Sequence, residues 1–184
     1  MPIYTRMGDK GYTSILHGVR LSKDHLLLEV IGSIDELNSY IGVVRSKLEY
    51  RDINEILKYV QNKLTDLNVE IQARYVGELD RYHEYILKKT DVTKLEEYID
   101  MYSRELPELN RLILFSGSIL GTEMFYARAI CRRVERNIVK LFKKVDKFKG
   151  SDIIPFINRL SDLFFIFGRY LNYKEGAKEE TWRE

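Results

Sequence analysis

Residues 118–145 decide the fold class of this chain, and they read SILGTEMFYARAICRRVERNIVKLFKKV. Apolar residues recur along this stretch at intervals of three and four, at Ala127, Cys131, Val134, Ile138 and Leu141. That spacing places them on one face of an α-helix. Since residues 116–118 read Ser-Gly-Ser, a long helix is predicted to follow them and to run through about Val145.

Two helices are predicted earlier in the chain. Apolar residues with the same periodicity predict a first helix over roughly residues 24–48. A second periodic run begins near Asp52, a residue type that can cap a helix N-terminus. The segment 74–92 is polar and aromatic with weak periodicity, so it is predicted to be a loop or an irregular helix.

Two more helices are predicted around the long one. Thr93 with Glu96 fits a capping box, and Pro107 should end the helix that this box opens. Asp152 can cap a last helix, with Pro155 in its first turn, where a missing N–H costs little. A total of about five helices with almost no strand predicts an all-α, up-and-down helical bundle.

The two ends of the chain differ from this helical pattern. Gly8, Gly11 and Gly18 punctuate the first 23 residues, which are predicted to form an ordered loop or a short hairpin. The tail over residues 174–184 is predicted to be frayed. Because no linker interrupts the rest, one domain is expected over residues 1–184.

Composition excludes several classes of protein. A single cysteine rules out an internal disulfide framework and a zinc site made of several cysteines. A formal net charge of +2 gives no global field for nucleic acid. The apolar runs are too short to span a bilayer, and the N-terminus lacks the apolar core of a signal peptide. A cytoplasmic protein with no membrane and no nucleic-acid partner is therefore expected.

The N-terminal stretch 4–14, YTRMGDKGYTS, has the composition of an anion-binding loop. Its two glycines allow backbone N–H groups to approach a ligand closely, and its Thr, Ser, Arg and Lys side chains add donors. The spacing is not that of a P-loop. Taken alone, the stretch is weak evidence for anion binding, because glycine-bearing N-terminal segments usually form only an ordinary turn.

A row of charged residues borders the apolar stripe of the long helix. Arg128, Arg132, Glu135 and Arg136 share one face by three- and four-residue spacing. Arginine forks can hold phosphate oxygens, and Glu135 could orient one of them. The alternative is a surface ladder of Glu–Arg pairs, which the spacing fits equally well.

Two polar residues on other helices need partners. Asp35 lies at the edge of the first apolar stripe, where an arginine of the long helix is the obvious counter-charge. Asn158 lies on the first turns of a strongly apolar helix, and a structural hydrogen bond is its ordinary role. The three histidines have no metal-ligand spacing, and Cys131 lies on an apolar stripe, which favours a core role.

Taken together, these segments resemble the PduO-type ATP:cob(I)alamin adenosyltransferases, also called ATP:corrinoid adenosyltransferases. Five motifs carry the resemblance, in the order in which that family has them. They are TRMGDKGYTS at 5–14, RLSKD at 20–24, GSIDELNSYIG at 32–42, ARAICRRVER at 127–136 and INRLSD at 157–162.

The resemblance implies a five-helix homotrimer that binds ATP between subunits. It implies transfer of the 5′-deoxyadenosyl group of ATP to the reduced cobalt of cobalamin, with release of triphosphate and with Mg²⁺ assisting. No metal site made by the protein itself is implied. By the same resemblance, ATP is bound by Thr5, Arg6, Met7, Gly8, Thr13, Ser14, Lys23, Arg132, Arg133, Val134, Glu135, Arg136 and Asn158. The resemblance gives Arg132, Arg128 and Asp35 catalytic roles, with Asp35 pairing with Arg128 across the interface.

One departure concerns cobalamin. Leu112 stands where that family has a phenylalanine that helps displace the lower axial base, and Phe115 follows three positions later. Leu112 and Phe115 are therefore the expected cobalamin-adjacent residues. Two other functions stay open: an ATP-binding sensor without transferase activity, and a basic helical nucleic-acid binder that uses residues 128–149.

Overall fold

The computed structural model describes Tyr4 and residues 6–183, and it forms a bundle of five α-helices with one short β-hairpin. Two short 3₁₀ segments, Leu16–Gly18 and Leu79–Tyr85, join these elements. The strands are β1 (Tyr12–Ser14) and β2 (Arg20–Ser22), and the helices are α1 (Leu26–Arg45), α2 (Arg51–Val76), α3 (Lys89–Ser103), α4 (Ile119–Lys144) and α5 (Ile153–Lys174). The all-α bundle predicted from the sequence is confirmed.

Helix starts follow local hydrogen bonding, and two of them differ from the predictions. The Ser118 hydroxyl caps α4 by accepting from the Gly121 N–H at 3.1 Å. The prediction that Asp52 caps α2 was wrong, because α2 begins at Arg51 and Asp52 lies within its first turn, where the carboxylate accepts from the Tyr102 hydroxyl of α3 at 2.7 Å. The predicted capping box of α3 was also wrong. The Asp91 carboxylate accepts from the Lys88 N–H at 2.9 Å, so α3 begins one turn earlier.

The core lies between α4 and its neighbours. Helix α4 packs against α1 on one side and α5 on the other, while α5 packs against α3 and α1 packs against α2. Cys131 belongs to this core, where its fully buried thiol donates to the Ile157 carbonyl across the α4–α5 contact. Burial raises the pKa of the Cys131 thiol, which disfavours the reactive thiolate form. No described helix is both long and apolar enough to cross a membrane.

Helices α4 and α5 approach each other closely at two glycines. A Cβ on Gly121 would lie 2.9 Å from the backbone oxygen of Gly168, so only a residue without a side chain fits there. The buried amide of Asn172 fills the space beside Gly121. It accepts from the Ser118 N–H at 2.9 Å and donates to the Ser116 carbonyl at 2.9 Å. This one side chain therefore joins α5 to the turn that precedes α4.

The connection between α2 and α3 is held by the buried carboxylate of Glu70. Gly77, with φ of 84°, ends α2, and the 3₁₀ segment Leu79–Tyr85 follows. Glu70 is fully buried and accepts from the Leu87 N–H at 2.8 Å and from the Arg74 side chain at 2.8 Å. Burial raises the pKa of Glu70. The segment 74–92, predicted as a loop or irregular helix, thus contains the end of α2, the 3₁₀ segment and the start of α3.

The β-hairpin packs against the end of α2. Its strands pair antiparallel, with Thr13 opposite Leu21, which confirms the predicted hairpin. The Leu16 N–H donates to the Gln72 side chain at 3.3 Å. The His17 ring makes an edge contact with Tyr82, at 5.9 Å between ring centroids. The hairpin is therefore attached to α2 and the following 3₁₀ segment.

The C-terminal tail is ordered over the residues described, so the prediction of a frayed tail was wrong there. Arg169 of α5 is buried and requires a counter-charge, which Glu179 supplies through two hydrogen bonds of 2.7 and 2.9 Å. The backbone then pairs with the segment before α4. The Trp182 N–H donates to the Leu112 carbonyl, and the Leu114 N–H donates to the Glu180 carbonyl, both at 2.8 Å.

Candidate functional site

The predicted row of charges on α4 lies at the protein surface. Arg132 and Arg136 are exposed, while Arg128 and Glu135 are partly buried. Burial, and then the neighbouring guanidinium of Arg132, lower the pKa of Arg128. Two cationic groups one helical turn apart repel each other, so an anion bound between them would be stabilised.

Glu135 meets the last helix at Asn158. The Asn158 Nδ2 donates to Glu135 Oε1 at 3.2 Å, which joins α5 to α4. The Asn158 Oδ1 accepts from Arg159 Nη1 at 3.0 Å. The structure therefore brings together two residues that the sequence motifs assign to one site, and it adds Arg159 as their neighbour.

Two other residues of α4 for which ATP binding is predicted lie outside the charged row. Arg133 pairs with Glu36 of α1 within the same chain. Val134 is fully buried in the core. Its side chain therefore does not belong to the charged row, and the ATP-binding role that the resemblance implies for Val134 stays a prediction.

Arg128 connects the charged row to aromatic residues. Its guanidinium carbon lies 5.3 Å from the ring centroid of Phe115 and 5.6 Å from that of Phe165. Both distances are typical of cation–π contacts. The charged row of α4 and the expected cobalamin-adjacent segment are therefore neighbours in the fold.

The segment before α4 presents an apolar surface. Leu112 is 70% exposed and Phe115 is 55% exposed, and Ile119 on the first turn of α4 is 73% exposed. Several large apolar side chains exposed within one short segment favour a binding surface. Hydrogen bonds to the C-terminal tail and to Asn172 hold the backbone of this segment in place, and its exposed apolar side chains extend from that backbone.

A second candidate site lies in the N-terminal hairpin. Met7, Gly8, Thr13 and Ser14 line a pocket of about 260 Å³, together with Tyr12 and Arg20. A Cβ on Gly8 would lie 3.3 Å from the Lys23 ammonium, so the glycine allows this cation to approach the turn. Arg6 lies in the same turn with a positive φ of 56°. The predicted Thr5 lies outside the described residues.

Some predicted partners are not brought together within one chain. Among the described residues, no hydrogen bond or ion pair joins residues 6–14 or Lys23 to the charged row of α4. Asp35 is exposed, and its Oδ1 accepts from Asn68 Nδ2 of α2 at 2.8 Å, rather than meeting an α4 arginine in its own chain. The expected contact of Asp35 with Arg128 across an interface stays a prediction.

Sequence reasoning missed several residues at these sites. Arg20 lies in the RLSKD motif, which was a usable signal, and Tyr12 lies in the N-terminal motif beside it. Glu36 belongs to the motif of α1 and pairs with Arg133. Glu96 of α3, which pairs with Arg159, lies in the part of the chain without any motif. No local pattern could have identified it.

The family model for cobalamin adenosyltransferases matches residues 3–171 of this chain. The corrinoid adenosyltransferase of Bacillus subtilis is 36% identical over 180 residues, covering 96% of this chain and 89% of that protein. The corrinoid adenosyltransferase MMAB of Bos taurus is 34% identical over 185 residues, covering 99% of this chain and 76% of that protein.

Two solved structures are similar to this chain over almost all of its length. A phenylalanine-to-alanine variant of the PduO-type ATP:corrinoid adenosyltransferase from Lactobacillus reuteri, complexed with cobalamin and ATP, has a TM-score of 0.90 at 34% identity and covers 100% of both chains. An arginine-to-lysine variant of a PduO-type enzyme from the same organism, complexed with ATP, has a TM-score of 0.87 at 33% identity, covering 98% of this chain and 100% of that one. The chain therefore belongs to the cobalamin adenosyltransferase family.

Proposed function

We propose that this enzyme transfers the 5′-deoxyadenosyl group of ATP to the cobalt of cob(I)alamin and releases triphosphate. The observation that carries the proposal is the contact of Arg128 with Phe115, which places a row of guanidinium groups beside an exposed apolar surface. The guanidinium groups suit a polyphosphate, and the apolar surface suits a large macrocycle. The family membership of the chain supports the same reaction.

The protein has little bond-making chemistry to supply in this reaction. The cobalt(I) centre of the substrate is a strong nucleophile, and its electron pair forms the bond to C5′ of ATP. The C5′–O bond breaks, and its electron pair leaves with the triphosphate. The work left to the protein is to hold C5′ in line with cobalt and to stabilise the growing charge on the leaving group.

The roles of individual residues follow from their positions. Arg132 and Arg136 are exposed on one face of α4 and would bind phosphate oxygens. Glu135 and Asn158, which contact each other, would present an acceptor and a donor to the nucleoside. Leu112 and Phe115 would contact the corrinoid.

Mg²⁺ would enter with the nucleotide. Phosphate oxygens are hard ligands of the kind that Mg²⁺ prefers, and the ion commonly keeps several waters and few protein ligands. Within the described part of the chain, no group of three or more His, Cys, Asp and Glu residues could hold a metal ion. The ion would neutralise part of the triphosphate charge beside the arginines.

The direct test is an activity assay with ATP, Mg²⁺ and chemically reduced cobalamin. We expect a light-sensitive product with a cobalt–carbon bond, formed in equal amount with triphosphate. An ATP-binding sensor would bind the nucleotide without forming either product. A protein that forms no product under strictly reducing conditions with saturating ATP would contradict the proposed reaction.

We further propose that the active enzyme is a homotrimer, with each ATP bound between two subunits. The N-terminal pocket and the charged row of α4 each offer polar groups suited to ATP, and no hydrogen bond between described residues joins them within one chain. Pairing of Asp35 with the partner's Arg128 would bring the two sets together. In sedimentation equilibrium, we therefore expect a species of three times the 21.8 kDa chain mass.

The adjacent carboxylates of α1 provide a matched pair of variants for this interface. Asp35→Asn should weaken the trimer, by about 3 kcal/mol for each pair that is fully buried on assembly. Glu36→Gln should leave the trimer intact, because Glu36 pairs with Arg133 inside its own chain. A wild-type protein that sediments only as a 21.8 kDa species, or equal effects of the two variants, would contradict the trimer proposal.

A further inference from the structure

The amide of Asn158 lies between two groups that offer opposite hydrogen-bonding partners. Its Nδ2 donates to Glu135 Oε1 at 3.2 Å, and its Oδ1 accepts from Arg159 Nη1 at 3.0 Å. An ionised carboxylate only accepts and a guanidinium only donates. If the amide rotated by half a turn, oxygen would face oxygen on one side and N–H would face N–H on the other. A single orientation of Asn158 is therefore favoured.

Arg159 is held in turn by a carboxylate from another helix. Its Nε donates to Glu96 Oε1 of α3 at 2.8 Å, and its Nη1 also approaches Asp162 Oδ2 at 3.3 Å. Because a guanidinium is rigid and planar, a bond at Nε fixes the direction in which Nη1 points. The hydrogen bond to Glu96 also raises the pKa of Arg159. A continuous chain of hydrogen bonds thus runs from α3 through α5 to α4.

We propose that Glu96 and Arg159 are positioning residues for ATP, because they fix the amide of Asn158 and, through it, the carboxylate of Glu135. This inference rests on the proposed function, in which Glu135 and Asn158 contact the nucleoside. Glu96 and Arg159 themselves are not required to touch ATP. Helix α3, which carries no recognisable motif, then contributes to the nucleotide site through one side chain.

A purely structural role accounts poorly for this pair. The side chains of Glu96 and Arg159 are 47% and 38% exposed, and ion pairs of that exposure contribute little to folding stability. The second N–H of Asn158 and the second oxygen of Glu135 form no hydrogen bond with the other described residues. The chain of hydrogen bonds determines the direction of this N–H and of this oxygen. A ligand can therefore accept from the one and donate to the other.

Steady-state kinetics of full-length variants can separate positioning from stability. For Glu96→Ala and for Arg159→Ala, we expect the KM for ATP to rise about threefold to tenfold, the range for loss of one orienting hydrogen bond. The KM for cobalamin should stay unchanged, and the midpoint of thermal unfolding should move little. Glu96→Gln keeps an oxygen that can accept from Arg159 Nε, so its KM for ATP should return to within about twofold of the wild type.

Two controls sharpen the test. Glu97→Ala removes a neighbouring exposed carboxylate of α3 that makes no ion pair within the described residues, and it should leave the KM for ATP unchanged. Adding Asn158→Ala to the Arg159→Ala variant should raise the KM for ATP by a smaller factor than Asn158→Ala does in the wild type, because the two residues act through one contact.

The outcomes distinguish this inference from the proposed function. If the wild-type protein forms no adenosylated product, the proposed function fails before any variant is made. If the wild type is active and Glu96→Ala and Arg159→Ala keep its KM for ATP, the positioning role is overturned while the proposed function stands. Equal increases in the KM values for ATP and cobalamin, together with a lowered unfolding midpoint, would also overturn it.

Discussion

Replacing Arg132 with alanine is expected to lower kcat and raise the KM for ATP, with a combined loss of about 2–4 kcal/mol in transition-state stabilisation. Arg132 is exposed on the charged row of α4 and forms no ion pair with another described residue, so its guanidinium is available to a ligand. Negative charge on the triphosphate grows as the C5′–O bond breaks. A contact with that oxygen therefore strengthens along the reaction, which is why kcat changes as well as KM.

Two control variants show whether this effect is specific to ATP. Lys140→Ala removes an exposed cation two turns further along α4, and it should change neither constant. Leu112→Ala removes an exposed apolar side chain and should weaken cobalamin while leaving the affinity for ATP nearly unchanged. The assignment of Arg132 fails if its variant keeps wild-type turnover and ATP affinity, or if Leu112→Ala weakens ATP as much as cobalamin.

Gly121→Ala is expected to destabilise the fold by about 2–4 kcal/mol, because overpacking and broken hydrogen bonds act together. The new Cβ would lie 2.9 Å from the Gly168 carbonyl and well inside contact distance of the Asn172 amide. Asn172 would have to leave Ser116 and Ser118, which it bonds in the turn before α4. Urea unfolding of the two proteins measures the difference in free energy.

Gly32 of α1 is the matched control for this prediction. A Cβ there meets nothing within 4 Å, so Gly32→Ala should be neutral or should stabilise the helix by about 0.5–1 kcal/mol. Equal stability of Gly121→Ala and the wild type would mean that α4 and α5 can move apart without cost. Equal damage from both glycine variants would point to a cause other than the close approach of the helices.

The sequence predicts the helices well where a local pattern determines them. The apolar stripe of α4 and the start of this helix after residues 116–118 are such patterns, and both are observed. Prediction from local patterns fails where a residue distant in the sequence determines which contact a side chain makes. Glu96, predicted to belong to the capping box of α3, is engaged instead with Arg159 from α5. The tail is ordered because Glu179 neutralises Arg169, a contact that no spacing rule reveals.

For the candidate site, the motifs name candidate residues but do not predict how these residues are arranged. Glu135 and Asn158 belong to different motifs, and only the packing of α4 on α5 brings them into contact. The contact of Arg128 with Phe115 joins a motif residue to a segment that departs from the family pattern. Asp35 is a residue whose predicted contact one chain cannot test. Its partner within the chain is Asn68, and the expected pair with Arg128 depends on a second subunit.

Cys131 has a consequence for experiments on this enzyme. It is the single cysteine of the chain, and its thiol is sealed between α4 and α5, where it donates to the Ile157 carbonyl. A thiol reagent can therefore react only when these two helices separate, so the rate of alkylation measures how often they open. Glu135 and Asn158 bridge the same two helices: Glu135 lies one turn beyond Cys131 on α4, and Asn158 directly follows Ile157 on α5. The native protein thus carries a chemical reporter of motion beside the proposed nucleotide site, without any engineered label.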